Sequence, residues 1–164
     1  MKTAIVYYSM SGNTAYAAEK IAAALKADLV EIMPQQQYPD KGFKKFFWGG
    51  KSAMMAETPK LLPYDFAADA YDQIIFGFPV WAGNITPPLR TFIQENAEAL
   101  RRKRVAAFAC QSGSGAEKAF RKLAECLGGT TVSPQLVLID PKSRPAAVND
   151  EKIAAFCEEI LSAK

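Results

Sequence analysis

The chain has 164 residues, 49% of them hydrophobic, enough for one well-cored domain and too few for two. Charged residues make up 23% and the mean hydropathy is -0.07, which excludes a disordered chain or a membrane spanner, and a formal net charge of +3 is too small to mark a nucleic-acid protein. The absence of histidine excludes His-ligated metals and Ser/His or Cys/His nucleophile pairs.

The N-terminal Met1, Lys2 and Thr3 lead straight into an apolar run without a cleavable-signal pattern, so secretion is not expected. Residues 3–8 (TAIVYY) are β-branched and aromatic throughout, the pattern of a strand buried on both faces. A helix follows, with Ala18, Ile21, Ala22 and Leu25 on one side, and residues 29–33 give a second short strand. Two strands joined by one helix predict a right-handed crossover and parallel pairing.

Residues 34–63 exceed an ordinary connection. They hold Phe43, Phe46, Phe47, Trp48, Met54 and Met55 and read as a partly helical insertion within a single domain, packing over a surface or a site. The third strand is predicted over 73–78. Pro87 and Pro88 then open a helix whose apolar face carries Leu89, Phe92 and Ile93. The basic run Arg101, Arg102, Lys103, Arg104 reads as cations opposing a helix dipole. A fourth strand is predicted over 105–110, then a helix with Ala116, Ala119, Phe120, Leu123 and Leu127 inward, stopped by Gly128 and Gly129. Residues 136–139 supply a fifth strand, and Ile153, Phe156, Cys157, Ile160 and Leu161 mark a closing helix. Cys110, Cys126 and Cys157 form no C-x-x-C pair, which points away from disulfides and thiolate metal sites and towards a reducing, cytoplasmic compartment.

Five strands alternating with helices predict an α/β, doubly wound parallel sheet whose ligand site lies outside the carboxyl ends of the strands, where the winding reverses. Three strand-end loops therefore matter most. The first, Ser9, Met10, Ser11, Gly12, Asn13 and Thr14, combines hydroxyls with the backbone amides of a helix start, a neutral cradle for a phosphate dianion. Ordinary capping would need only one such residue. It lacks the lysine of a P-loop, and no G-x-G-x-x-G follows the first strand. Cys110 opens a loop shaped like a phosphatase cradle, but Ala116 stands where the arginine belongs, so a thiolate there would be poorly activated.

With these residues in place the sequence resembles the flavodoxin family. Ser9, Ser11, Gly12 and Thr14 match its [ST]-x-[ST]-G-x-T phosphate signature; Gly77, Phe78, Pro79, Val80, Trp81, Ala82, Gly83 and Asn84 are similar to its isoalloxazine loop with a stacking tryptophan; Gln111, Ser112, Gly113, Ser114 and Gly115 sit where the family binds the pyrimidine edge. The resemblance implies strand order 2-1-3-4-5, FMN as cofactor, and partners that are redox donor and acceptor proteins or a small electron acceptor, with no nucleic acid or membrane involved. The alternatives are an FMN-dependent NAD(P)H:quinone-type oxidoreductase and an interaction module without flavin.

The chemistry of the residues agrees. Trp81 offers a wide aromatic face, on a turn that Pro79 and Gly83 mark as exposed, and Gly113 and Gly115 would let amides approach the ring. The three loops contain no Lys or Arg, an environment expected to disfavour the anionic reduced flavin and lower its potential. Two features depart from the family pattern: the third loop has no second aromatic, so Trp48 or a neighbouring Phe covers the outer flavin face or leaves it open to a substrate, and the pI of about 8.7 contrasts with strongly acidic carriers.

Overall fold

The computed structural model describes residues 1–39, 50–51 and 55–163. Five parallel strands, β1 (Thr3–Tyr7), β2 (Asp28–Glu31), β3 (Gln73–Pro79), β4 (Arg104–Gln111) and β5 (Val132–Ile139), lie side by side in the order β2-β1-β3-β4-β5. This is the doubly wound α/β sheet that the alternation of elements predicts. Among the described residues the helices include α1 (Asn13–Leu25), α2 (Pro87–Glu95), α3 (Ala97–Leu100), α4 (Ala116–Cys126) and α5 (Ala147–Ser162), with a 3-10 turn over Ala68–Ala70.

Successive strand residues point to opposite faces, and the core divides accordingly. Ala4 and Val6 pack into one cluster with Leu89 and Phe92 of α2 and Phe120 and Leu123 of α4. Ile5 and Tyr7 join Ile21 of α1 and Ile153 and Phe156 of α5 on the other side. Because both faces are covered, the central strands are apolar at nearly every position, β1 and β4 included.

The punctuation read from the sequence operates as expected at two helix ends. Pro87 and Pro88 open α2, where a missing N–H costs nothing. Gly128 (φ 72°) and Gly129 (φ 86°) close α4 through bonds from Gly129 N to Ala124 O (2.8 Å) and Gly128 N to Glu125 O (3.0 Å), the paired bonds of a Schellman motif. Other boundaries differ. β5 begins four residues before the expected start because Pro134 lies within it; β5 is an edge strand, where a residue without an N–H is tolerated. The short α3 was not expected and follows a break at Asn96, whose Nδ2 donates to Phe92 O.

The ends of the 34–63 insertion are zipped together. Pro34 bridges Leu61, Gln35 N donates to Lys60 O (2.8 Å) and Leu62 N to Met33 O (2.8 Å). Thr91 Oγ1 of α2 donates to Pro59 O (2.8 Å). Phe43, Phe46, Phe47, Trp48 and Met54 lie outside the described residues, and Met55 is exposed. Among the described residues no helix is long and apolar enough to cross a membrane.

Candidate functional site

The sheet order reverses at β1, whose two neighbours are β2 and β3, and at that switch point a crevice of about 350 Å³ opens outside the carboxyl ends of β1, β3 and β4. Small-molecule sites run from roughly 300 to 1,000 Å³, so the space suits a ligand of cofactor size.

The first loop supplies the polar end. Met10, Ser11 and Asn13 line the crevice. Gly12, in the left-handed region at φ 88°, starts α1 without a side-chain cap, and no acidic residue stands in the first helical turn. The amides of that turn thus meet no anion from their own helix, in a field that favours negative charge. The Ser9 hydroxyl is buried there with no hydrogen-bond partner. Thr14 is 1% exposed, with its hydroxyl bonded to Cys110. Asn13 is committed elsewhere: its Oδ1 accepts from Lys142 N (2.9 Å), Ser143 N (3.0 Å) and Ser143 Oγ (3.3 Å).

The second loop makes the apolar wall. Pro79, Val80, Trp81 and Ala82 line the crevice. Trp81 and Asn84 exchange backbone hydrogen bonds (3.2 and 2.9 Å) around Ala82 (φ 50°) and Gly83 (φ 69°), a type I′ turn. Asn84 Nδ2 steadies it by donating to Ala82 O (3.3 Å), and Gly83 lies under the Lys118 side chain. The turn chemistry suggests an exposed Trp81, but the indole is only 8% exposed. It is held edge-on by Tyr8 (centroids 5.7 Å apart) and Tyr38 (5.1 Å), so Trp81 is core and crevice wall at once. Burial pushes the Tyr38 hydroxyl up to about 12 and the Tyr8 hydroxyl higher still, keeping both neutral.

In the third loop Gln111 and Ser112 line the crevice. Gln111 Oε1 accepts from Ala116 N (3.0 Å), which caps α4. A methyl group on Gly115 (φ 109°) would stand 3.1 Å from Gly83 Cα: glycine here lets the second and third loops touch. Gly113 faces open space. Cys110 also lines the crevice, yet desolvation pushes its thiol up to about 12, with the Asp140 carboxylate adding to the shift and Thr14 opposing it. A thiol this weakly acidic is no nucleophile near neutrality. Iodoacetamide at pH 8 is therefore expected to leave Cys110 unmodified in the folded protein; rapid alkylation at that residue by peptide mapping would contradict the assignment.

A fourth loop, residues 140–145, contributes without having been read from the sequence. Asp140 (φ 40°) lines the crevice, accepting from Ser112 Oγ (2.8 Å) and pairing with Arg144 (2.6 Å). Lys142 lies against Gly12: a methyl group there would sit 3.1 Å from Lys142 Nζ. The expected cation-free site is thus corrected, because the β5 loop brings an ammonium to the phosphate-type cradle. The signal was the run Asp140, Pro141, Lys142, Ser143, Arg144, Pro145 at a fifth strand end, where the strand-end rule also applies. Gly50, from the insertion, completes the lining. The basic run near residue 101 is remote: Arg104 begins β4, roughly 25 Å from the crevice at about 3.3 Å per residue, and Arg101 pairs with Glu98 (3.4 Å).

Apolar walls from Met10, Val80 and Trp81 beside a cradle of amides, hydroxyls and one ammonium fit a flat aromatic ring carrying a phosphorylated tail, and the orphaned Ser9 hydroxyl fits a missing acceptor. The fold and crevice together define a doubly wound, mononucleotide-binding α/β protein.

The comparisons narrow that class. The family model described as Flavodoxin matches residues 2–160, and the chain belongs to the flavodoxin family, an FMN-binding flavoprotein fold. The chain is similar to a Lactobacillus acidophilus flavoprotein solved in complex with FMN (24% identity, covering 94% of this chain and 97% of that one, TM-score 0.74). It is also similar to a flavodoxin from the domain Archaea (20%, 99% and 98%, 0.64) and to two-electron reduced Megasphaera elsdenii flavodoxin (22%, 93% and 98%, 0.56). At these identities the likeness is one of fold.

Proposed function

We propose that this protein binds FMN in the strand-end crevice and acts as an electron carrier between redox partners in the cytoplasm. The observation that carries the reading is the convergence of the β1, β3 and β4 loops on one space, polar at the α1 start and apolar at Trp81. FMN, when bound, supplies one- and two-electron transfer; the chain supplies the rest. Ser9, Ser11 and the α1 amides hold the phosphate, Trp81 and Val80 wall the ring from water, and Gln111 and Ser112 face its polar edge. The free thiols of Cys110, Cys126 and Cys157 suit a reducing compartment.

The visible spectrum of freshly purified protein tests the reading. Yellow flavin absorption, or uptake of added FMN, supports it, and a colourless protein that takes up none favours an interaction module instead. Mixing the oxidised protein with NADPH separates carrier from reductase: unchanged absorbance until a reductase is added is expected of a carrier, whereas immediate bleaching would establish the NAD(P)H:quinone-type enzyme. The position of the basic run at the far end of β4 favours the carrier, since it removes the cation cluster best suited to a pyridine-nucleotide phosphate.

The Asp140 carboxylate beside the crevice opposes the gain of negative charge on reduction. Asp140→Asn keeps the acceptor for Ser112 and tolerates the left-handed backbone. Its midpoint potential is expected to rise by about 30–60 mV, taking about 59 mV as 1.4 kcal/mol for one electron and allowing for the screening Arg144. A redox titration showing no rise would remove Asp140 from the tuning of the site.

A further inference from the structure

Resting on the FMN reading, we infer that Lys142 is the residue that selects the phosphorylated flavin over the unphosphorylated one, and that Asn13 is the positioning residue that holds it over the cradle. The Lys142 side chain is folded along Gly12, with Nζ 3.1 Å and Cδ 3.3 Å from where a methyl group on that glycine would stand. Gly12 is the N-cap of α1, so the ammonium lies at the helix end whose dipole already favours an anion.

What keeps Lys142 there is not its own charge. Two other cations near the strand ends are engaged differently: Arg144 of the same loop is paired with Asp140 (2.6 Å), and Lys118 of α4 covers Gly83. Among the described residues Lys142 makes no ion pair, while its backbone N–H and that of Ser143 both donate to Asn13 Oδ1 at 2.9 and 3.0 Å, with Ser143 Oγ at 3.3 Å. Three donors converging on one buried amide oxygen fasten the β5 loop to the first residue of α1. Asn13 is 8% exposed, and its acceptor is used up in that role. Its function at the site is therefore to carry a cation to the phosphate.

An ammonium preset at an otherwise neutral cradle has a specific consequence. A phosphate dianion gains a charge-assisted interaction there, screened by salt, whereas riboflavin, with a hydroxyl in the phosphate's place, gains none. The discrimination between the two flavins then depends on Lys142 and falls with ionic strength, while the ring contacts contribute equally to both.

The test is a set of fluorescence-quenching titrations of the apoprotein with FMN and with riboflavin, at low and high ionic strength, for the wild type, Lys142→Met and Lys142→Arg. Lys142→Met is expected to weaken FMN about tenfold, the size of one charge-assisted hydrogen bond, to leave riboflavin unchanged and to flatten the salt dependence; Lys142→Arg is expected to restore both affinity and salt dependence. Equal weakening of the two flavins, or unaltered FMN affinity in Lys142→Met, overturns the inference and leaves the FMN reading standing. A wild-type apoprotein that binds neither flavin overturns the FMN reading itself.

Discussion

Trp81→Ala is expected to lower the stability of the protein by about 3–5 kcal/mol and to weaken FMN binding by an order of magnitude or more, with a rise in midpoint potential. The two effects share one cause. The indole is 8% exposed, its edges fixed by Tyr8 at an interplanar angle of 89° and Tyr38 at 83°, arrangements worth about 0.5–1.5 kcal/mol each beyond simple burial. Truncation removes those contacts and leaves a void, because Tyr8 directly follows β1, is tied by its N–H to Gly77 O (3.1 Å) and cannot follow the missing ring. The remaining surface of Trp81 lines the crevice, so the same truncation opens the ring site to water. Water lowers the penalty on added negative charge, which is the direction that raises the potential. At about 2–4 °C per kcal/mol for a domain of this size, the melting temperature of the apoprotein should fall by about 10 °C or more. Trp81→Phe retains an aromatic wall and should lose less in both measurements. An apoprotein that melts normally while losing FMN would mean that the indole is only a stacking surface; one that melts early but keeps its FMN affinity would mean that it is only core.

That double duty explains where sequence reading stopped. The architecture was legible because it depends on local pattern: wholly apolar short strands, helices with one inward face, and the proline and glycine signals at Pro87 and Gly128. The three loops were legible because each directly follows a strand. Pro79 and Gly83 mark a turn and so suggest an exposed Trp81; the turn exists, but only Ala82 and Gly83 form its tip. Nothing adjacent in sequence announces that Tyr8 and Tyr38 fold over the indole. Lys142 is hidden in the sequence for a related reason. Its distance from Gly12 is set by Asn13 reaching across to the β5 loop, a contact between residues about 130 positions apart, whereas in sequence Asn13 looks like one more polar residue of a phosphate loop. The N-terminal half of β5 was hidden by Pro134, which a central strand would reject and this edge strand accepts.

Gly77→Ala should destabilise the fold by about 1–2 kcal/mol although alanine ordinarily suits a strand better than glycine. Gly77 sits in β3 directly beside Phe108 of β4. A methyl group added to it would lie 2.2 Å from Phe108 Cζ and within 3 Å of both Cε atoms. Phe108 is fully buried beneath Ile5, Tyr7 and the α1 and α5 side chains of its cluster, so its ring has nowhere to turn. Relief from glycine's entropic cost is worth about 0.5–1 kcal/mol, less than the roughly 1–3 kcal/mol of overpacking a rigid core, and here the overlap involves three ring atoms at once. The sequence motif presents Gly77 as the first residue of a ring-binding loop, but what the structure asks of it is room for a neighbour. The consequence for the site is indirect: β3 and β4 remain in register up to Pro79 and Cys110, where Val80 N donates to Cys110 O (2.9 Å), so strain at Gly77 displaces the second loop against the third. Phe108→Leu should reverse much of the effect. The double variant is expected to be more stable than the sum of the two single losses predicts, with a coupling of about 1–2 kcal/mol in urea unfolding; strictly additive losses would show that the ring and the glycine do not constrain one another.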